Sequence, residues 1–86
     1  MIVRFTKKAQ KYYDNMTKSY QDKIMDGIRG LIKEPPEGDV KPLRGYTDGR
    51  KRLRIGKYRV IFKHIEENLI EILLILDIGS RGDIYK

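Results

Sequence analysis

Residues 50–59 read RKRLRIGKYR and hold six cations: Arg50, Lys51, Arg52, Arg54, Lys57 and Arg59. Guanidinium groups bind phosphate and carboxylate in bidentate fashion, so a cluster this dense points to an anion. The run RLRI alternates cation and aliphatic residue at the period of a strand, which would gather the charges on one face. An arginine placed there can stabilise negative charge developing on a phosphate, but it stays protonated and makes a poor base. Cleavage of RNA by its own 2′-hydroxyl needs that hydroxyl deprotonated, the phosphate charge stabilised and the leaving oxygen protonated. A lysine serves as base only where neighbouring cations favour its neutral form, and Lys51 and Lys57 are the candidates. Imidazole titrates in the useful range, but alternation sends the only histidine, His64, to the same side as Phe62.

Gly56-Lys57 fits a two-residue type II′ turn, which wants glycine first. That turn sets Ile55 opposite Tyr58, Arg54 opposite Arg59, Leu53 opposite Val60 and Arg52 opposite Ile61. Paired residues share a face. One face then carries Leu53, Ile55, Tyr58, Val60 and Phe62. The other carries Arg50, Arg52, Arg54, Arg59 and Lys63, with Ile61 among them. Arg54 against Arg59 is a like-charge pair costing a few tenths to about 1 kcal/mol in the free protein; a phosphate between them would reverse the sign. The competing reading is a solvated basic face with its arginines splayed apart.

The remaining elements must position this hairpin. Residues 2–5 (IVRF) predict a strand, and Thr6 offers an N-cap hydroxyl. Ala9, Tyr12, Tyr13 and Met16 recur at helical spacing, and Tyr20, Ile24, Ile28, Leu31 and Ile32 form a second amphipathic stripe. Ser19 with Asp22, or Thr17, would cap that second helix. Gly27 and Gly30 weaken it by about 1 kcal/mol each and would allow close packing, with the first helix as the expected neighbour. Pro35 and Pro36 end it. Residues 34–49 read as a long connection. Strands are predicted near 51–55, 58–64 and 69–76, with a turn suggested by Asp77 and Gly79 and a short final strand near 83–85. The fold class is α+β: an N-terminal strand, then a two-helix hairpin packed on one face of a small antiparallel sheet, in the order β-α-α-β-β-β.

Eighty-six residues make a single domain, 1–86. The absence of cysteine excludes disulfides and thiolate metal sites, and one histidine builds no metal cluster, so no metal and no cofactor is expected. No apolar run approaches the length of a membrane span, and no secretory leader is evident. A cytoplasmic, monomeric protein is expected. The net charge of +7 favours nucleic acid, an acidic protein or an anionic surface as partner.

KPLRG at 41–45, RLRIGKYRVIF at 52–62 and LDIGSRGDIY at 76–85, in this order of elements, resemble toxins of the RelE/ParE superfamily. For RelE-like members the resemblance implies a metal-independent endoribonuclease that enters the ribosomal A site and cuts mRNA, leaving a 2′,3′-cyclic phosphate and a 5′-hydroxyl. It also implies a cognate antitoxin. Arg59 matches the phosphate-stabilising arginine and Arg81 the arginine assigned to the phosphate or the leaving group. Tyr85 matches the terminal tyrosine that orients or stacks on substrate. With Arg54 these are the expected catalytic residues; Arg50, Lys51, Arg52, Lys57 and Lys63 are the expected RNA contacts. Arginines stand at 52 and 54 where some members have lysine, and Ser80 stands where many have histidine, so no general base is assigned. The alternatives are a ParE-like toxin acting on DNA gyrase and a non-catalytic RNA-binding member.

Overall fold

Hydrophobic period switches from helical to extended after residue 50, and the folded chain follows it. The computed structural model describes residues 1–80. Strand β1 (Ile2–Phe5) leads into α1 (Lys7–Asp14) and α2 (Lys18–Leu31), followed by β2 (Asp39–Pro42), β3 (Lys51–Ile55), β4 (Tyr58–Glu67) and β5 (Ile70–Ser80). The strands form one sheet in the order β1-β5-β4-β3-β2. The α+β class and the helices on one face of the sheet are as the pattern predicts. Ala9 from α1 and Ile24, Ile28 and Leu31 from α2 meet Leu53, Val60, Phe62, Leu73, Ile75 and Ile78 in a single core.

The caps explain where the helices start. Thr6 Oγ1 accepts from Ala9 N at 3.2 Å, as expected, and also donates to the Leu76 carbonyl at 2.8 Å, which ties the start of α1 to β5. Thr17, not Ser19, is the N-cap of α2, and its side chain makes no cap bond. Asp22 accepts instead from Lys18 Nζ at 2.7 Å.

Four features differ from the sequence-based expectation. The sheet is mixed, because β1 runs parallel to β5. Short turns force β3, β4 and β5 antiparallel, but no short turn joins β1 to its neighbour, so periodicity leaves its direction open. The connection over 34–49 contains β2, paired antiparallel with β3; four residues ending in proline are too few to display a period. The expected turn at Asp77 and Gly79 is strand: β5 runs through to Ser80, and the register slips by one residue opposite Ile61 and Phe62. A bulge there inserts an extra residue while keeping the strand paired. Finally, Gly27 faces β3, where an added Cβ would collide with Ile55, and Gly30 faces Glu37; neither close approach involves α1. The expected strand at 83–85 lies outside the described residues.

The β3–β4 hairpin has the expected register, with Ile55↔Tyr58, Arg54↔Arg59, Leu53↔Val60 and Arg52↔Ile61. Gly56 supplies the positive φ of 58° that the turn requires. Ile61 and Ile72 are buried as well, although they stand outside the main core cluster.

Candidate nucleic-acid interface

Five strands place the basic residues, and the structure sorts them into three groups. The first is neutralised from within. Asp48, in the turn between β2 and β3, accepts from Arg50 Nε at 3.0 Å through Oδ1 and from Arg50 Nη2 at 2.8 Å through Oδ2. The same Oδ2 accepts from Lys63 Nζ at 3.1 Å. The Arg50 guanidinium also lies 4.1 Å from the Tyr46 ring centroid, a cation–π contact. Hydrogen bonds from Arg50 hold the Asp48 carboxyl well below the usual carboxylate range, with Lys63 adding to the effect and partial desolvation opposing it. Arg52 donates to the Asp39 carbonyl at 2.9 Å and stands 3.4 Å from its carboxylate; the Arg52 side chain is only 12% exposed.

The second group keeps its charge available. Arg54 and Arg59 face each other across the β3–β4 ladder. Among the described residues neither makes an ion pair, although Asp39 on β2 is the register partner of Arg54; Arg59 Nη1 donates to the backbone carbonyls of Gly56, at 3.3 Å, and Tyr58, at 3.1 Å. Gly79 is the register partner of Arg59 on the β5 side, so no β-carbon crowds that neighbour. Two guanidiniums opposed on neighbouring strands, with a glycine beyond Arg59 on β5, can seat one phosphate between them.

The third group sits on the helix side. Lys51 pairs with Phe62 and lines a cavity of about 150 Å³ with Leu31, Pro36 and His64. His64 points to that side, as alternation predicts, and meets Phe62 edge-on at 6.0 Å between ring centroids. Lys57, at the hairpin tip, lies 5.0 Å from the Tyr20 ring centroid and 5.4 Å from that of Tyr58. The expected RNA contacts therefore do not form one surface. Arg81 and Tyr85 lie outside the described residues. Among the described residues no cluster of three His, Asp or Glu side chains converges as a metal would require.

A family model for the ParE toxin of the type II toxin–antitoxin system parDE matches residues 3–85. The chain belongs to the ParE toxin family. The toxin's fold is similar to that of the archaeal RelE–RelB complex from Pyrococcus horikoshii OT3, at 27% identity over 95% of this chain and 96% of that chain, with a TM-score of 0.71. It is similar also to the YoeB/ParE toxin from Agrobacterium tumefaciens, at 22% identity over 94% and 99% of the two chains and a TM-score of 0.77. The toxin–antitoxin complex RelBE2 from Mycobacterium tuberculosis is 24% identical over 93% and 96%, with a TM-score of 0.70. Comparison with curated proteins finds no match. The recognition of a RelE/ParE-superfamily toxin from its sequence motifs is thereby borne out.

Sequence reasoning about this toxin's charged face overlooked Asp48 and Asp39. Asp48 sits in TDGR, and an Asp two residues before an Arg in a glycine-containing turn is a local signal for such a contact. Asp39 has no local signal; only the pairing of β2 with β3 brings it to Arg52.

Proposed function

We propose that this ParE-family toxin is a ribosome-dependent mRNA endoribonuclease in which Arg54 and Arg59 hold the scissile phosphate. The observation that carries the reading is selective neutralisation. Arg50, Arg52 and Lys63 make ion pairs with Asp48 and Asp39, whereas among the described residues the opposed Arg54 and Arg59 make none, Asp39 standing opposite Arg54 in the ladder but pairing with Arg52. A pair of facing cations costs stability in the free protein, and a phosphate oxyanion would remove the repulsion. In the reaction the 2′-hydroxyl oxygen attacks the adjacent phosphorus, and the bond from phosphorus to the 5′-oxygen breaks. The 2′-hydroxyl proton departs, a proton reaches the 5′-oxygen, and a 2′,3′-cyclic phosphate and a 5′-hydroxyl result. Arg54 and Arg59 stabilise the additional negative charge on the phosphorane oxygens. Arg81 would assist at the phosphate or the leaving group and Tyr85 would orient or stack on the substrate, as the superfamily resemblance implies. A cognate antitoxin would neutralise the toxin, and the site of action would be the cytoplasm.

A second reading, inhibition of DNA gyrase, is favoured by one specific observation: the matching family is that of ParE. One experiment decides between them. The toxin is expressed, mRNA 5′ ends are mapped on translating ribosomes, and gyrase supercoiling is assayed in parallel. Codon-register cuts that vanish in Arg54→Ala, Arg59→Ala and Arg81→Ala support cleavage. Lost supercoiling without cuts supports gyrase.

A further inference from the structure

On the helix side of the hairpin lies a second feature that the phosphate pair does not use. A groove of about 600 Å³ opens between the α1–α2 turn and the hairpin, lined by Tyr12, Tyr20 and Tyr58 with Lys8, Lys11 and Met16. The three rings form one cluster. Tyr20 and Tyr58 meet edge-on with centroids 5.1 Å apart, and Tyr12 and Tyr58 at 6.4 Å. Lys57 and Lys23 hold their ammonium groups 5.0 and 5.5 Å from the Tyr20 centroid. Lys8 is paired with Asp77 at 3.0 Å. Among the described residues Lys11 and Lys57 have no carboxylate partner, and no carboxylate lines the groove.

The groove and the phosphate pair occupy opposite faces of the same hairpin. Lys57, Tyr58 and Arg59 are consecutive, and strand alternation sends Tyr58 to the groove and Arg59 to the opposite face. Lys57 and Lys11 therefore bring cationic charge to the rings on the helix side, across the sheet from Arg54 and Arg59. Cations that follow a backbone and rings that receive bases are together the signature of single-stranded nucleic-acid binding. A peptide that adds a strand needs an open sheet edge, and the groove offers none: Tyr58 is paired on one side with Ile55 and on the other with Ser80.

We propose that the groove of Tyr12, Tyr20 and Tyr58 is a stacking subsite for an unpaired nucleobase, with Lys11 and Lys57 on its phosphates. It lies across the hairpin from Arg54 and Arg59, and it rests on the RNA-directed reading. The subsite binds any single strand whose base can leave its stack, and selects against duplex.

The test uses the full chain and an uncleavable 2′-O-methyl RNA hexamer containing one 2-aminopurine. Binding is expected to quench the 2-aminopurine fluorescence and raise the anisotropy. Tyr20→Leu should abolish the quenching and weaken binding about tenfold. The double variant Lys11→Glu and Lys57→Glu, at exposed positions where folding is not at stake, should weaken binding at least as much and flatten its salt dependence. Quenching that survives in both variants overturns the proposal, as does equal affinity for a duplex of the same sequence, or displacement of the oligonucleotide only by acidic peptide. Quenching lost in the groove variants of a toxin that makes no cuts on ribosomes would retain the groove and reject the cleavage reading. Cuts at wild-type rate, with binding and quenching indifferent to the groove variants, would reject the groove alone.

Discussion

Asp48 clasps Arg50 through both carboxylate oxygens, at 3.0 and 2.8 Å, and this one turn residue also holds Lys63 from β4 at 3.1 Å. The clasp explains how so basic a hairpin folds. Charges at one end of the face are discharged by the protein's own carboxylates, and the repulsion that remains is concentrated at Arg54 and Arg59.

Removing one member of that remaining pair should separate stability from activity. Arg54→Ala is expected to leave thermal stability unchanged or to raise it by a few tenths of a kcal/mol, because the like-charge neighbour Arg59 outweighs the facing Asp39, whose carboxylate is held by Arg52. Arg59→Ala should gain less, since Arg59 also bonds the Gly56 and Tyr58 carbonyls. Both should lose cleavage of ribosome-bound mRNA. A large fall in melting temperature for Arg54→Ala would contradict the open-face placement.

Asp48 makes stability depend on pH in a definite direction. Its folded-state pKa lies below its unfolded value because Arg50 and Lys63 favour the charged form. Its contribution is therefore complete above the ordinary carboxylate pKa near 4 and is lost as pH falls from there toward the folded value. Thermal unfolding of wild type and Asp48→Asn should differ most near neutrality and converge in acid. A gap that stays constant from pH 7 to pH 2 would show that Asp48 stabilises by some route other than its charge.

Gly38 permits β2 to reach the sheet. Its φ is +128°, and an added Cβ would stand 2.8 Å from Leu53 Cδ1. Gly38→Ala should cost about 1–3 kcal/mol, measurable by denaturant titration, and amide exchange should rise first over residues 39–42. A neutral substitution would mean that the turn can relax without disturbing Leu53.

The β4–β5 turn invites the opposite change. Asn68 and Leu69 both have positive φ, 50° and 68°, and Leu69 is 90% exposed. A leucine there costs roughly 1–2 kcal/mol, and Asn-Gly is the preferred pair for such a turn. Leu69→Gly should raise the melting temperature with unchanged activity. A lower melting temperature would place a stabilising role on the leucine itself.

The sequence by itself determined what is local. Helical spacing identified both helices, Thr6 its cap, and Gly56-Lys57 the turn that fixes the hairpin register and so the opposition of Arg54 and Arg59. The motif RLRIGKYRVIF over residues 52–62 was legible for the same reason, since it lies on that hairpin. Only the tertiary structure decided what depends on contacts between distant segments. The parallel pairing of β1 with β5 joins residues some 70 apart. The Asp39–Arg52 contact exists because a four-residue strand docks on β3. The bulge that carries β5 through Asp77 and Gly79 follows from pairing along the whole of β4. Lys57 joins the tyrosines because α2 packs over the hairpin. Periodicity reports which face a residue takes, but not which charge will meet it there; that is set by where the chain brings its acids.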